Sequence, residues 1–140
     1  MNRIEAREQC MVFVFENLFT GYLLEEIIEN SNLKYIDPYT REVFNGILDN
    51  LEKIDFLIED NLNNWNKNRI SKICLSILRV CVYELMFRKD IPVNVSINEA
   101  IELAKKYGEE QESKFINGIL GAISRNLELG EKIKIKERIL

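Results

Sequence analysis

Residues 70–87, ISKICLSILRVCVYELMF, constrain the fold more than any other stretch, because thirteen of these eighteen residues are aliphatic, aromatic, Cys or Met. A helix this apolar is buried on most sides by other elements. Lys72, Arg79 and Glu84 interrupt the run, which disfavours a membrane span. The polar line Lys72, Ser76, Arg79 and Tyr83 recurs at helical spacing, so one stripe of this central helix is expected to reach solvent or a partner. With 140 residues, 6 Gly and 2 Pro, the chain has the length of a single self-sufficient core and little material for strand-and-turn architectures. The elements that cover the central helix are therefore expected to be helices as well.

The rest of the chain supplies them. Ala6, Cys10, Phe13 and Leu18 lie near one face of a helix over 5–19, and a shorter helix fits 22–30. Asp37-Pro38 starts the next one, with Asp as N-cap and Pro where its missing N–H costs nothing. Val43, Ile47, Leu51 and Ile54 continue that helix, and Phe56, Leu57, Ile58 and Leu62 follow. The polar run NNWNKN at 63–68 reads as a junction between two sub-bundles, about 1–64 and 65–130, with Trp65 as a packing anchor between them. Beyond it, Pro92 breaks the chain, Gly108 ends a helix, and Ser113 is placed to cap the last one. In that helix Ile116, Leu120, Ile123 and Leu127 form the core face, and Gly118, Gly121 and Ala122 are small enough for a neighbour to approach closely. The basic segment 131–140 either frays or extends it.

Cys10, Cys74 and Cys81 form no C-x-x-C and there is no His, so neither a zinc-type centre nor a disulfide framework is expected. Core thiols in a reducing compartment, the cytoplasm, are the better reading. Nothing at the N-terminus has the layout of a signal peptide. The net charge of −4 argues against indiscriminate nucleic-acid binding, but it is unevenly spread: residues 67–89 carry six basic and one acidic side chain, and 113–140 six and three. If the fold brings those segments together, an acidic protein still presents a basic face.

In KDIPVNVSINEAIELAKKYG, Asn98, Glu99 and Glu102 invite a catalytic interpretation. Ser96 and Glu99 also form S-x-x-E, in which hydroxyl and carboxylate reciprocally satisfy free N–H groups at a helix start, and that reading is preferred. No nucleophile or means of excluding water accompanies the carboxylates, so no enzyme activity and no cofactor are expected.

Taken in order, AREQ near the N-terminus, LRVCVYEL at 78–85, INEAIELAK within 97–105 and SKFINGIL at 113–120 resemble the NusB family of bacterial transcription antitermination factors. The resemblance spans nearly the whole chain. It implies an all-α fold of two three-helix bundles packed into one domain. It also implies binding of single-stranded boxA RNA together with the small-subunit ribosomal protein that acts as NusE, and entry of that heterodimer into an antitermination complex on RNA polymerase, notably in ribosomal RNA transcription. Carried over residue by residue, it makes Arg3, Arg7, Lys72, Gln111, Lys114, Phe115 and Asn117 RNA-binding candidates. Lys114 suits phosphate contact, Phe115 base stacking and Asn117 hydrogen bonding to a base edge or sugar. Phe15, Cys74 and Arg79 are the partner-binding candidates; Phe15 stands where many relatives have Tyr, and Cys74 where some have Glu. Glu84 and Glu99 match family motifs too and are assigned to folding.

The rival reading is a helical interaction domain, homodimeric or otherwise homo-oligomeric, without specific RNA binding. NusB-like domains also accompany RNA cytosine methyltransferases, but this chain has no Rossmann-type G-x-G-x-x-G and no catalytic Cys motif.

Overall fold

The computed structural model describes residues 1–62 and 70–139, and all of its regular structure is helical. The elements are α1 (Arg3–Thr20), α2 (Leu24–Glu29), α3 (Pro38–Asp49), α4 (Leu51–Asp60), α5 (Lys72–Phe87), α6 (Val93–Tyr107) and α7 (Glu110–Ile139). The junction proposed around Trp65 lies outside the described residues. As its composition demands, α5 is the axis: it packs against α1, α3 and α4 on one side and α6 and α7 on the other. Every residue from Cys74 to Leu85 is buried.

Local chemistry sets the helix ends. Asn2 caps α1 by accepting the Glu5 N–H at 2.8 Å, and Gly21, at φ 71°, closes it in a left-handed turn that most residues avoid. Asp37 caps α3 as expected, accepting the Tyr39 N–H at 2.9 Å, with Pro38 in the first turn. The expected continuation of that helix through Ile54 is interrupted. Asn50 turns its N–H and its side-chain amide onto the Gly46 carbonyl, at 3.1 and 2.8 Å, which ends α3 and restarts the chain as α4. The apolar spacing survives the break, which is why periodicity alone did not reveal it.

Four other expectations are corrected. The supposed solvent stripe of α5 is exposed only at Lys72; Ser76, Arg79 and Tyr83 are buried. Arg79 lies there because Asp55 of α4 pairs with it through two hydrogen bonds of 3.0 and 2.9 Å. The S-x-x-E box does not cap α6, which begins three residues earlier, behind Pro92. Ser96 is already inside the helix, and its hydroxyl donates to Glu84 at 2.6 Å. Similarly α7 begins at Glu110, and the Ser113 hydroxyl bonds back to the Glu110 carbonyl. No neighbouring helix approaches Gly118 or Gly121: a side chain at Gly118 would meet open space, and one at Gly121 only the Arg125 side chain of the same helix. A close approach is at Gly46 of α3, where a Cβ would run into the Tyr83 ring.

The core stripe of α7 runs as read through Ile116, Leu120 and Ile123, all fully buried, to a half-buried Leu127. After Leu127 the same face carries Gly130, Glu131 and Lys134, so nothing apolar holds the rest of the helix to the body. The basic segment nonetheless continues α7 to Ile139.

Candidate nucleic-acid interface

The residues singled out above divide sharply by burial. Arg7 is 4% exposed, and its Nε and Nη2 donate to the Glu84 carboxylate at 2.8 and 3.3 Å. Tyr39 and Ser96 donate to the same carboxylate, so one acid on α5 gathers α1, α3 and α6. Burial together with the neighbouring carboxylate pushes the Tyr39 phenol far above its ordinary pKa. In this position Arg7 cannot reach RNA: its donors are turned inward, and the charge is compensated by Glu84. The expected partner contact through Arg79 fails for the same reason, with Asp55 in place of Glu84. The assignment of Glu84 to folding agrees with this geometry.

The exposed candidates gather at the α6–α7 junction. Lys114 and Asn117, one turn apart on α7, line a depression with Ile101, Lys105, Ser113 and one carboxylate, Glu110. On the other side of α7, Gln111 and Phe115 line a second depression with Cys74, Ser71, Ile70 and the carboxylates Glu109 and Glu112. Phe115 is half-buried against the core edge. Ser71, the N-cap of α5, accepts the Cys74 N–H and donates to Glu112, which ties the start of α5 to the start of α7. Burial pushes the Cys74 thiol up to about 12, so it stays neutral.

Lys72 stands beside this region, its ammonium 4.5 Å from the centroid of Phe19, and Phe19 packs edge-on against Phe15. The structure thus brings the α5 start beside the second half of α1, with Phe15 and Lys72 on adjoining surface and Cys74 buried beneath it, 2% exposed, so the expected partner contact through Cys74 meets the same obstacle as that through Arg79. Arg3 is exposed but sits apart, its guanidinium 4.8 Å over the Tyr39 ring. Among the described residues of the first basic segment, Arg88 pairs with Glu42 and Asp90, and Lys89 pairs with Glu131 of the second.

Two contributors escaped the sequence reading. Lys105 joins Lys114 and Asn117, and Lys106 with Tyr107 bonds to Glu8 of α1. The hydrogen bond from Lys106, then that from Tyr107, holds the Glu8 carboxyl below its usual range. The adjacent lysines of AKKYG, at the C-terminal turn of α6 where cations are favoured, were the available signal.

Among the described residues no cluster could hold a metal ion, and no helix is long and apolar enough to cross a membrane. Comparison with known proteins completes the picture: the NusB family model matches residues 4–125. The chain belongs to the NusB family. A transcription antitermination protein NusB of Clostridium botulinum (strain Kyoto / Type A2) is 46% identical over 86% of this chain and 98% of its own length. The T. maritima NusB structure superposes with a TM-score of 0.81 at 39% identity, covering 89% of this chain and 92% of that one. A crystal structure of the antitermination factors NusB and NusE in complex with dsRNA gives a TM-score of 0.76 at 28% identity, covering 90% and 99%. The resemblance and the all-α NusB fold expected from the sequence are borne out, and with them a role in transcription antitermination.

Proposed function

We propose that this chain binds boxA RNA together with the ribosomal protein NusE, and that the heterodimer joins an antitermination complex on RNA polymerase in the cytoplasm. Its work is scaffolding, without covalent chemistry. The observation that carries the reading is the joint placement of Lys105, Lys114 and Asn117 in one depression, with Gln111 and Phe115 across the same helix turns. Two ammonium groups and an amide suit a phosphate and a base edge or sugar, and an aromatic ring at the margin suits a splayed base. Arg3 adds a cation at the start of α1. Arg7 is left out, because its guanidinium is spent on Glu84.

NusE is assigned to the adjoining surface of Phe15, Phe19 and Lys72, without Cys74, which is as buried as Arg79. Two aromatic rings make that patch less polar than the RNA depression, as the core of a protein contact requires. Arg79 is excluded by its burial beneath α4.

Fluorescence anisotropy with labelled boxA-type and scrambled RNAs, with and without NusE and at two salt concentrations, tests this. Preference for boxA, strengthened by NusE, is expected. If Arg3, Lys72, Lys105 and Lys114 each meet a phosphate, the salt slope lies near −3, at roughly −0.7 per contact to a single strand. Equal weak binding to both RNAs, indifferent to NusE, would overturn the reading and favour the interaction-domain alternative.

A further inference from the structure

The end of α6 and the start of α7 form the wall of the proposed RNA site, yet no apolar packing holds the turn between them. Ala104 and Ser113 are buried, but no side chain from Lys105 through Glu112 is. Burial therefore fixes α6 up to Ala104 and α7 from Ser113 onward, and leaves the residues between to polar contacts. Lys105 and Gln111 lie inside that span, and Lys114 just beyond it.

Two carboxylates supply the contacts. Glu112 accepts the Glu109 N–H at 3.0 Å and the Ser71 hydroxyl, which secures the start of α7 to the N-cap of α5. Glu8 of α1 takes the other end: it accepts from Lys106 Nζ at 2.6 Å and from the Tyr107 hydroxyl. Among the described residues, both hydrogen bonds between α1 and α6 end on this one carboxylate, and the two helices hardly pack on each other, since each lies against α5. Glu8 stands between buried Ala6 and Arg7 on one side and buried Cys10 and Met11 on the other. Its side chain is 25% exposed, against 60% for Lys106. The acceptor is thus a fixed point on a core helix, and the donors belong to the end that needs fixing.

Charge alone would set Glu8 against the proposed function. A carboxylate near a site for a polyanion repels the ligand, and it compensates Lys106, a cation that would otherwise be available to a phosphate. The geometry gives it another use. By holding Lys106 and Tyr107 it sets the last turn of α6, and with it Lys105, which joins Lys114 and Asn117 in the depression. We propose that Glu8 is a positioning residue for RNA binding: it fixes the α6–α7 turn before RNA arrives and so lowers the cost of ordering Lys105 and its neighbours on binding. The inference rests on the RNA reading given above and adds to it a residue that touches no RNA.

Three variants separate the roles. E8A removes both tie and charge, E8Q removes the charge and keeps an acceptor, and Y107F removes one hydrogen bond and no charge. Circular dichroism verifies the fold of each, and hydrogen exchange of amides 105–112, expected to quicken in E8A and Y107F, reads the turn without RNA. In anisotropy with labelled boxA-type RNA, E8A should bind about fivefold more weakly than the parent, Y107F about twofold more weakly, and E8Q within about twofold of it. The salt slope of Y107F stays that of the parent, because the phosphate contacts remain and only their ordering cost has grown. Equal binding by E8A and E8Q, tighter than the parent, would overturn the proposal by making Glu8 only a repelling charge. So would E8A and Y107F that bind as well as the parent, or a weakened Y107F beside an unchanged E8A, which would make Tyr107 an RNA contact. A parent that binds boxA-type and scrambled RNA equally weakly would instead bring down the RNA reading, and this inference with it.

Discussion

The Glu84 centre and the α6–α7 junction are built from the same kinds of side chain and put them to opposite uses. At Glu84 an arginine, a tyrosine and a serine from three helices converge on one buried carboxylate, and among the described residues no buried side-chain donor or acceptor lacks a partner. At the junction Lys105, Lys114 and Asn117 come together without converging on a single protein partner, and they border open depressions. A family-motif polar residue is therefore not evidence of a binding site until the direction of its donors is known. Arg7 and Lys114 look equally cationic in the sequence, yet only Lys114 is exposed.

The comparison can be broken most forcefully at its buried end. Glu84→Ala strands the Arg7 guanidinium in the core and should cost about 3–5 kcal/mol in urea unfolding, while RNA affinity per folded molecule stays unchanged. A drop in the affinity of the folded fraction would mean that the two regions are coupled. Next comes Gly46→Ala, which drives a methyl into the Tyr83 ring; the overpacking outweighs the gain in helix propensity, for a net loss of about 1–2 kcal/mol by thermal melting.

At the exposed end the signs reverse. The double variant K114A/N117A should leave stability within about 0.5 kcal/mol of the parent, reduce RNA affinity about tenfold and flatten the salt slope by roughly 0.7. Gly118→Ala, with open space around the new methyl, should stabilise the chain by about 0.5–1 kcal/mol, the opposite of the result at Gly46. The smallest effect is at Glu8. Its pKa is lowered in the fold, so its contribution is fully present above the unfolded value and fades as the pH falls through the folded one. Acid titration followed by amide exchange should therefore loosen the contact between α1 and α6 in that window, and Glu8→Gln should abolish the effect.

What the sequence disclosed and what it withheld have a common cause. Apolar periodicity is a property of one helix at a time, and it placed α1, α3, α5, α6 and most of α7 within a few residues. It was blind to the Asn50 break, because the spacing of Val43, Ile47, Leu51 and Ile54 passes through it unchanged. Capping patterns are also local. Ser96 matched one, but a buried carboxylate from α5 claimed its hydroxyl, and the helix began at Val93. At Lys114 and Asn117 residue type and exposure agree, which keeps both as candidates. The site was misjudged at Arg7 and Arg79, whose partners lie 77 and 24 residues away in the chain. Lys105 was passed over because its closeness to Lys114 arises only when α6 and α7 fold against each other.

The Glu84 cluster also has a consequence for how the chain matures. Its partners stand 77, 45 and 12 residues from Glu84 along the sequence, from Arg7 to Ser96. A nascent polypeptide that has emerged only through α4 has no carboxylate to offer Arg7, whose guanidinium must wait in water. The first helices can form as they leave the ribosome, but the tie joining them to the second half closes only after about two thirds of the protein has been made. Synthesis through Ser96 is thus the earliest point at which the assembled core can be complete around that acid, and a translational pause before it would leave the N-terminal helices dependent on their own contacts alone.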